Sequence, residues 1–451
     1  MKDQRNRLDF KSVAPSLRSL AEALYGNMHI PPVALIRQKI QAPRIGDIDR
    51  AVVDGVARVL SNVDRRGPIA VGVGSRGIAN IGQIAIAAVR ELKKAGFDPF
   101  VVPAMGSHGS TIAEGQAKIL DGYGINEKTV GVPIRATMET EIIGEVEGIP
   151  IHMDRNAVEA GAVFLIGRVK PHTDFNGPIE SGLAKMCAIG LAKQRGAQAI
   201  HAAGIRGLRD VMPKAARLAA AKGILFGGLA IVENARDETA RIVGLEANEV
   251  GGEAEADLLA EAKRLLPKIP FSDLDVLVID QMGKDISGAG IDANVIGRWR
   301  IPGVAEDMKP SITCIVTLSL TEASHGNAAG LGLADFIPVR LAEQVDLSAF
   351  YSNLLTAGIA GVERGQFPIV LATDRDCVKA AIACCGRTLQ EGLRLAWIAD
   401  TLHTETLAVS ADLLNASMGR DDLELLATLR DMPFDEAGRL NPLGAFSTVA
   451  A

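Results

Sequence analysis

Residues 68–96 read PIAVGVGSRGIANIGQIAIAAVRELKKAG and predict a strand, a glycine turn and a helix in direct succession. The apolar run from Ile69 to Val73 is typical of a buried strand, and apolar residues recur at helical spacing from Ile78 to Lys94. Gly96 follows at the position where a glycine commonly ends a helix. Together they form the first strand-loop-helix unit of an α/β fold.

The alternation of strands and helices continues beyond this unit. A second apolar strand (residues 97–105) runs into the loop GSHGST and a helix that continues to Leu120, and residues 161–172 form another buried strand that ends in a polar loop. Strands that alternate with helices predict mainly parallel sheets, whose loops gather at the carboxyl edge of the strands.

The proline-containing segment Pro267–Ser272 separates this region from a second series of strands and loops. We therefore expect an N-terminal α/β cofactor-binding domain in residues 1–268 and a C-terminal α/β domain in residues 269–430. An irregular tail is expected in residues 431–451. In such an arrangement the active site would occupy a cleft between the two domains.

Composition excludes several classes of protein. The 451 residues contain 48 Lys and Arg against 54 Asp and Glu, a net charge of −6 that argues against a nucleic-acid partner. The longest apolar run, Ile224 to Val232, is much shorter than the roughly 18 residues of a membrane span, so no membrane partner is expected. The charged first eleven residues are unlike a secretion signal, and the five cysteines lack zinc-site spacing. These features predict a cytoplasmic protein with reduced thiols.

The turn GVGSRG (residues 72–77) matches the glycine pattern that precedes a helix in dinucleotide-binding folds. The next strand ends in Ala104 and Met105 without the acidic residue that would hold a ribose, which argues against NAD. Free backbone N–H groups at a helix start attract anions, and Arg76 can grip a carboxylate. A phosphate site, a carboxylate site and a purely structural turn remain open.

Two histidines stand at the carboxyl ends of predicted strands, where ligands bind in open α/β sheets. His108 lies in GSHGST and His172 in KPHTDF, and the two could face one another across a substrate. Lys185 lies in a small, apolar stretch that would lower its pKa, and His201 follows sixteen residues later among alanines. Taken alone, each also has a structural interpretation, and His29, His152 and His403, which lack such a context, are interpreted as structural.

The second series of strands carries polar loops of its own. Gln281 and Lys284 follow the strand LDVLVID and are donors suited to a carboxylate or a hydroxyl. Asp292, Asn294 and Arg298 lie in the loop that comes next, and His325 and Asn327 lie in a later glycine-rich loop, so these side chains would line the same cleft.

The ordered set GSRG, GSHG, PH, SGxxK, a histidine sixteen residues later and QxxK resembles the nickel-dependent lactate racemase family. The resemblance covers about residues 65–330. It implies a nickel-pincer nucleotide attached covalently to Lys185, nickel ligation by His201, and acid/base roles for His108 and His172. It also implies that Arg76, Gln281 and Lys284 orient a 2-hydroxy acid, and Gly74 and Ser75 are candidates for contact with the cofactor. Partner proteins would assemble the cofactor.

The chain departs from the family pattern at two places. The acidic residue of the family's DxTR turn is replaced, since the turn reads Val73-Gly74-Ser75-Arg76. The segment TDFNGPIE (residues 173–180) makes the connection between His172 and Lys185 longer than in lactate racemases. The expected function is a racemase or epimerase of a 2-hydroxy acid. The alternatives are an NAD(P)-dependent hydroxyacid dehydrogenase and a carboxylate-binding relative without catalysis.

Overall fold

A computed structural model describes residues 8–74, 77–306 and 308–448 of the chain. It confirms the α/β class, with helices packed on mainly parallel sheets. The chain divides into two compact units. We call residues Gln41–Leu266 the central unit, and the described parts of Met1–Ile40 and Pro267–Ala451 the composite unit.

The described residues form strands and helices in the following order along the chain. The strands are β1 (Val33–Gln38), β2 (Gly67–Val73), β3 (Phe97–Pro103), β4 (Thr140–Val146), β5 (Ile149–Asp154), β6 (Val163–Arg168), β7 (Leu225–Glu233), β8 (Thr239–Glu246), β9 (Asp273–Ile279), β10 (Ser311–Thr317), β11 (Phe336–Pro338), β12 (Ile369–Leu371), β13 (Leu395–Ile398), β14 (Thr406–Ser410) and β15 (Leu423–Arg430). The helices are α1 (Ala14–Tyr25), α2 (Ile48–Leu60), α3 (Ile81–Lys94), α4 (Ala113–Gly122), α5 (Glu127–Val130), α6 (Arg155–Ala160), α7 (Leu183–Lys185), α8 (Lys193–His201), α9 (Gly204–Arg206), α10 (Met212–Ala221), α11 (Glu253–Leu265), α12 (Ala293–Ile296), α13 (Val339–Ala342), α14 (Leu347–Ala357), α15 (Ile359–Arg364), α16 (Asp374–Cys384), α17 (Ala411–Ser417) and α18 (Leu443–Thr448).

The central unit is built on a five-stranded sheet in the order β3-β2-β6-β7-β8. Its first four strands are parallel, and β8 is antiparallel to β7. The chain goes from β2 through α3 to β3 on one side, and then crosses to β6 on the other side of β2. The strand order therefore reverses at β2, which makes the carboxyl end of β2 a topological switch point.

Both faces of this sheet are covered, because its strands alternate apolar side chains between two cores. In β6, Phe164 and Ile166 pack in the core that contains residues of α2, α3 and α5, whereas Val163 and Leu165 pack in the core shared with α6 to α8, α10 and α11. The near-continuous apolar run of this strand is what a parallel strand buried on both faces requires. A separate hairpin of β4 and β5 lies outside the sheet.

The composite unit contains an eight-stranded sheet in the order β12-β11-β10-β9-β13-β14-β1-β15. The five strands from β12 to β13 are parallel, and β14, β1 and β15 continue the sheet with antiparallel pairs. Strands β10 to β12 extend the sheet to one side of β9, and β13 pairs on the other side, so β9 is a second switch point.

Both termini of the described chain contribute to the composite unit. Strand β1 pairs with β14 and β15, which places the N-terminal residues with the C-terminal strands. In the segment predicted to be an irregular tail, α18 packs its Phe446 ring 5.4 Å from the ring of Trp397. Among the described residues, no helix is both long and apolar enough to cross a membrane.

Candidate functional site

The loops that follow β3, β2 and β6 lie side by side at the carboxyl edge of the central sheet, because these strands are neighbours in that order. Gly74 follows β2, His108 lies in the loop after β3, and His172 lies in the loop after β6. The sequence-based placement of both histidines after strand ends is therefore confirmed. Ser75 and Arg76 lie outside the described residues.

The turn after β2 packs against the residue that follows Lys185. A Cβ atom added to Gly74 would lie 3.1 Å from Cε of Met186, and one added to Gly167 at the end of β6 would lie 2.7 Å from Cγ of the same methionine. Any larger side chain at either glycine would displace Met186. The end of α7, which carries Lys185, is thus fixed against the ends of β2 and β6.

A buried carboxylate holds the start of α7. Glu255 of α11 accepts hydrogen bonds from the backbone N–H of Ala184 at 3.1 Å and from that of Gly251 at 2.7 Å. Burial raises the pKa of Glu255 to about 7, although these N–H groups and that of Leu183 oppose the shift. Glu255 therefore sets the position of the short helix that presents Lys185.

His201 occupies the last turn of α8, and its surroundings favour the neutral imidazole. Burial lowers its pKa, the positive charge of Lys185 lowers it further, and the negative charge of Asp174 opposes the shift. Both charges act on the imidazole, so Lys185 from α7 and Asp174 from the loop after β6 are its electrostatic neighbours. A neutral imidazole is the form that can bind a metal ion.

The loop that carries His172 is organised by two acidic residues. Glu180, which is fully buried, accepts the backbone N–H of His172 at 2.9 Å and that of Gly177 at 3.0 Å, and it is paired with Lys263. The backbone N–H of Asp174 donates to Nδ1 of His172 at 3.1 Å, and the Asp174 carboxylate lies 3.9 Å from the same nitrogen. The imidazole also packs on the ring of Phe175, with ring centroids 4.8 Å apart.

His108 is exposed at the tip of its loop, whereas the base of that loop is firmly seated. The Gly106 N–H donates to the Gly190 carbonyl at 2.9 Å, in the turn of π-helix that follows Lys185. Gly106 has a φ of +58°, and a Cβ on Gly190 would lie 2.6 Å from the Ala104 carbonyl oxygen, so both positions favour glycine. The structure thereby joins the His108 loop to the Lys185 segment.

Gln281 and Lys284 belong to the composite unit and follow β9 at the second switch point. The Gln281 N–H donates to the Ala399 carbonyl at 3.1 Å, which ties this loop to the one after β13. The Lys284 N–H donates to Oγ of Ser324 at 2.9 Å, and its ammonium donates to the Gly288 carbonyl. Both side chains therefore start from an ordered loop at a sheet edge.

Asp292, Arg298 and His403 of the composite unit each have a partner in the structure. Asp292 caps the short helix α12 through the Asn294 N–H, and Arg298 is paired with Asp335, so these residues have structural partners. His403, for which the sequence predicts a structural role, has its Nδ1 2.9 Å from the buried carboxylate of Asp400 in the loop after β13.

Sequence reasoning missed Asp174, Glu180 and Glu255. Glu180 lies in the TDFNGPIE segment, which the sequence marked only as extra length, and the structure shows that its carboxylate holds the His172 backbone. Glu255 follows the acidic start of α11 and looks like a solvent-facing helix residue. A signal existed in its spacing, since Leu258, Leu259 and Ala262 of the same helix are buried on the same side.

The sequence resemblance implies a nickel-pincer nucleotide attached to Lys185. Among the described residues, no cluster of three or more His, Cys, Asp or Glu could hold a metal ion. The implied group would need a single protein ligand because its own atoms hold the nickel, and the half-buried imidazole of His201, on which the charge of Lys185 acts, is the candidate for that ligand.

Comparison of the chain with protein-family models, with curated protein sequences and with solved structures finds no match. Any functional assignment therefore depends on the geometry of the two sheet edges and on the sequence motifs.

Proposed function

We propose that the chain is a racemase or epimerase of a 2-hydroxy acid that uses a nickel-pincer nucleotide attached to Lys185. The observation that carries the proposal is the grouping at the switch point of the central sheet. There, the amine of Lys185 and the carboxylate of Asp174 act on the half-buried imidazole of His201, and Asp174 also contacts His172. Ligands of open α/β sheets bind at such switch points.

Lys185 would hold the cofactor covalently and His201 would supply the remaining nickel ligand. When bound, this group supplies an electrophilic carbon that reversibly accepts hydride from C2 of the acid. Direct removal of the C2 proton would instead place a carbanion beside a carboxylate, which ordinary side-chain bases reach poorly. The protein's own task is then to move the hydroxyl proton and to hold the acid.

His108 and His172 are the proposed acid/base pair, one for each enantiomer. One imidazole takes the hydroxyl proton as a base while the other stands ready as an acid for the opposite face of the planar keto acid. In His172, the Asp174 N–H donates to Nδ1, which favours the neutral ring. The Asp174 carboxylate, 3.9 Å from the same nitrogen, stabilises the charged ring. Asp174 therefore supports both protonation states.

Arg76, Gln281 and Lys284 are the proposed donors to the substrate carboxylate and hydroxyl, with Gly74 and Ser75 next to the cofactor. Charged and amide N–H groups are suited to this, since bonds to a carboxylate are strengthened by its charge. The proposal further requires partner proteins that assemble the nucleotide, and a cytoplasmic location where those proteins act.

An isotope experiment tests the reaction. Protein produced together with the cofactor-assembly enzymes is incubated in ordinary water with a single enantiomer of a 2-hydroxy acid that carries deuterium at C2. Hydride transfer returns the deuterium to C2 of both enantiomers of the product, whereas a carbanion mechanism replaces it with solvent hydrogen. Inversion with loss of the label would contradict the proposed mechanism.

The same samples separate the alternative functions. Reduction of added NAD(P) at the expense of the acid would identify a dehydrogenase. Binding of the acid without inversion or oxidation, and with unchanged affinity in the His108→Asn variant, would identify a relative that binds carboxylates only.

A further inference from the structure

A buried lysine lies directly behind the His108 loop. Lys193 begins α8, is fully buried, and has an ammonium group 2.9 Å from the carboxylate of Asp154, which is also fully buried. The same ammonium donates to the Pro103 carbonyl at the end of β3 and to Oε1 of Gln116 in α4 at 3.4 Å. We call Lys193, Asp154 and Gln116 the Lys193 cluster.

Gln116 connects this cluster to the His108 loop through hydrogen bonds. Its side chain is fully buried, and its Nε2 donates to the Gly106 carbonyl at 2.9 Å and to the His108 carbonyl at 3.2 Å. The two N–H groups of the amide therefore hold the backbone at the start of the loop and at His108 itself. The amide oxygen is left to accept from Lys193, so the orientation of the amide is determined.

The ammonium of Lys193 combines hydrogen bonds with an ion pair. It donates to the Pro103 carbonyl and to Gln116, and its charge is paired with the Asp154 carboxylate. Asp154 uses its other oxygen to cap α6 through the Ala157 N–H at 3.3 Å. A buried ion pair is a poor source of stability compared with apolar side chains of similar volume, so its presence calls for another explanation.

We propose that Lys193 and Gln116 are positioning residues that fix the His108 backbone relative to α8, the helix that carries His201. The inference rests on the proposed acid/base role of His108. Lys193 is the first residue of α8 and His201 is the last, so one buried ammonium connects this helix with the His108 loop. Under the proposed function, this coupling would hold His108 in place relative to the proposed nickel ligand His201.

The test uses the full chain with two kinds of variant. Gln116→Leu removes both bonds to the loop and leaves the ion pair in place. Lys193→Met combined with Asp154→Asn removes both charges and keeps an oxygen that can cap α6, so no buried charge is left alone. Val56→Ala is the matched control, because it shortens a buried side chain of α2, which contributes no residue to the loop or to the Lys193 cluster.

Hydrogen exchange of residues 103–112 measures the loop directly and needs no cofactor. Both kinds of variant are expected to exchange at least about ten times faster in this segment, whereas Val56→Ala leaves its exchange unchanged. The His108 imidazole resonance is expected to move in the same two variants and not in the control. Unchanged exchange and an unchanged resonance in Gln116→Leu would overturn the inference, even if the double variant failed to fold.

Kinetics of the loaded enzyme separate this inference from the proposed function. We expect kcat to fall about 100-fold with little change in KM, as a misplaced catalytic group produces. A loosened loop with unchanged kcat would leave the structural coupling intact and remove His108 from the reaction. If the loop stayed rigid in the variants while the wild-type enzyme inverted the acid, the coupling would be overturned and the proposed function would stand.

Discussion

The two sheet edges of this protein have the same topology and different chemistry. Each sheet reverses its strand order, at β2 in the central unit and at β9 in the composite unit. At β2 the edge gathers imidazoles, an amine and carboxylates that act on one another's charge, as at His201. At β9 the edge presents donors from loops tied by backbone bonds, such as Gln281 and Lys284.

Under the proposed function, the two edges have different tasks. A histidine that transfers protons needs neighbours that adjust its charge, and Asp174 is such a neighbour of His172 in the central unit. Groups that orient a carboxylate need a fixed backbone and a donor, which the composite unit supplies. We therefore expect substitutions at the first edge to change turnover and substitutions at the second to change binding.

The largest expected effect comes from His172. His172→Asn removes the proton-transferring ring and is expected to lower kcat of the loaded enzyme by about a thousandfold, with KM changed much less. Steady-state kinetics in both directions measure this. His29→Asn is the matched control, since His29 is an exposed histidine of the composite unit. A His172→Asn enzyme that kept its kcat would contradict the assignment of proton transfer to the β2 edge.

A smaller effect is expected in the pH dependence of stability, through Glu255. Its pKa rises from 4.5 to about 7 on folding, so the folded state binds a proton that the unfolded state releases between these values. The contribution of protonated Glu255 to stability is fully present below about pH 4.5 and is lost as the pH rises to about 7. This loss lowers the free energy of unfolding by about 3 kcal/mol. Glu255→Gln removes this dependence, and urea unfolding at several pH values measures it.

Asp280 provides the matched comparison in the composite unit. It accepts bonds from Trp397 Nε1 at 2.6 Å and from the Leu443 N–H at 2.7 Å, and burial raises its pKa from 3.8 to about 6. Asp280→Asn should flatten the dependence only between about pH 4 and about pH 6. If Glu255→Gln left the pH dependence of stability between about pH 6 and about pH 7 unchanged, our assignment of the titration in that range to Glu255 would be wrong.

The smallest expected effect is at Gln281. Gln281→Leu removes one neutral amide donor, worth about 1 kcal/mol, so KM is expected to rise about fivefold while kcat stays within a factor of two. Lys284→Met removes a charged donor and should raise KM more. A loss of kcat as large as that of His172→Asn would show that the β9 edge takes part in proton transfer.

Much of this architecture could be predicted from local sequence patterns. The apolar run and helical spacing of residues 68–96 predicted β2 and α3, and strand ends correctly marked the loops of His108 and His172. Local patterns could not reveal that β1 pairs with β14, because this antiparallel contact joins residues 33–37 with residues 406–410. Pairing over such a separation depends on the whole sheet.

The burial of the supporting polar residues could not be predicted from the sequence either. Lys193, Glu180 and Glu255 read as ordinary charged residues, and each becomes buried only because distant segments enclose it. Their partners lie 70 or more residues away in the pairs Lys193–Gln116, Glu180–Lys263 and Glu255–Ala184. A charged residue in a polar pattern predicts exposure, and tertiary packing overrides that expectation.

The most direct test of the central claim is the intact mass of the chain produced with the cofactor-assembly enzymes, compared with that of Lys185→Arg. We expect the wild-type chain to gain the mass of one nucleotide with nickel, located on the peptide that contains Lys185, and the variant to gain nothing. A wild-type chain that inverts a 2-hydroxy acid while Lys185 remains unmodified would contradict the account.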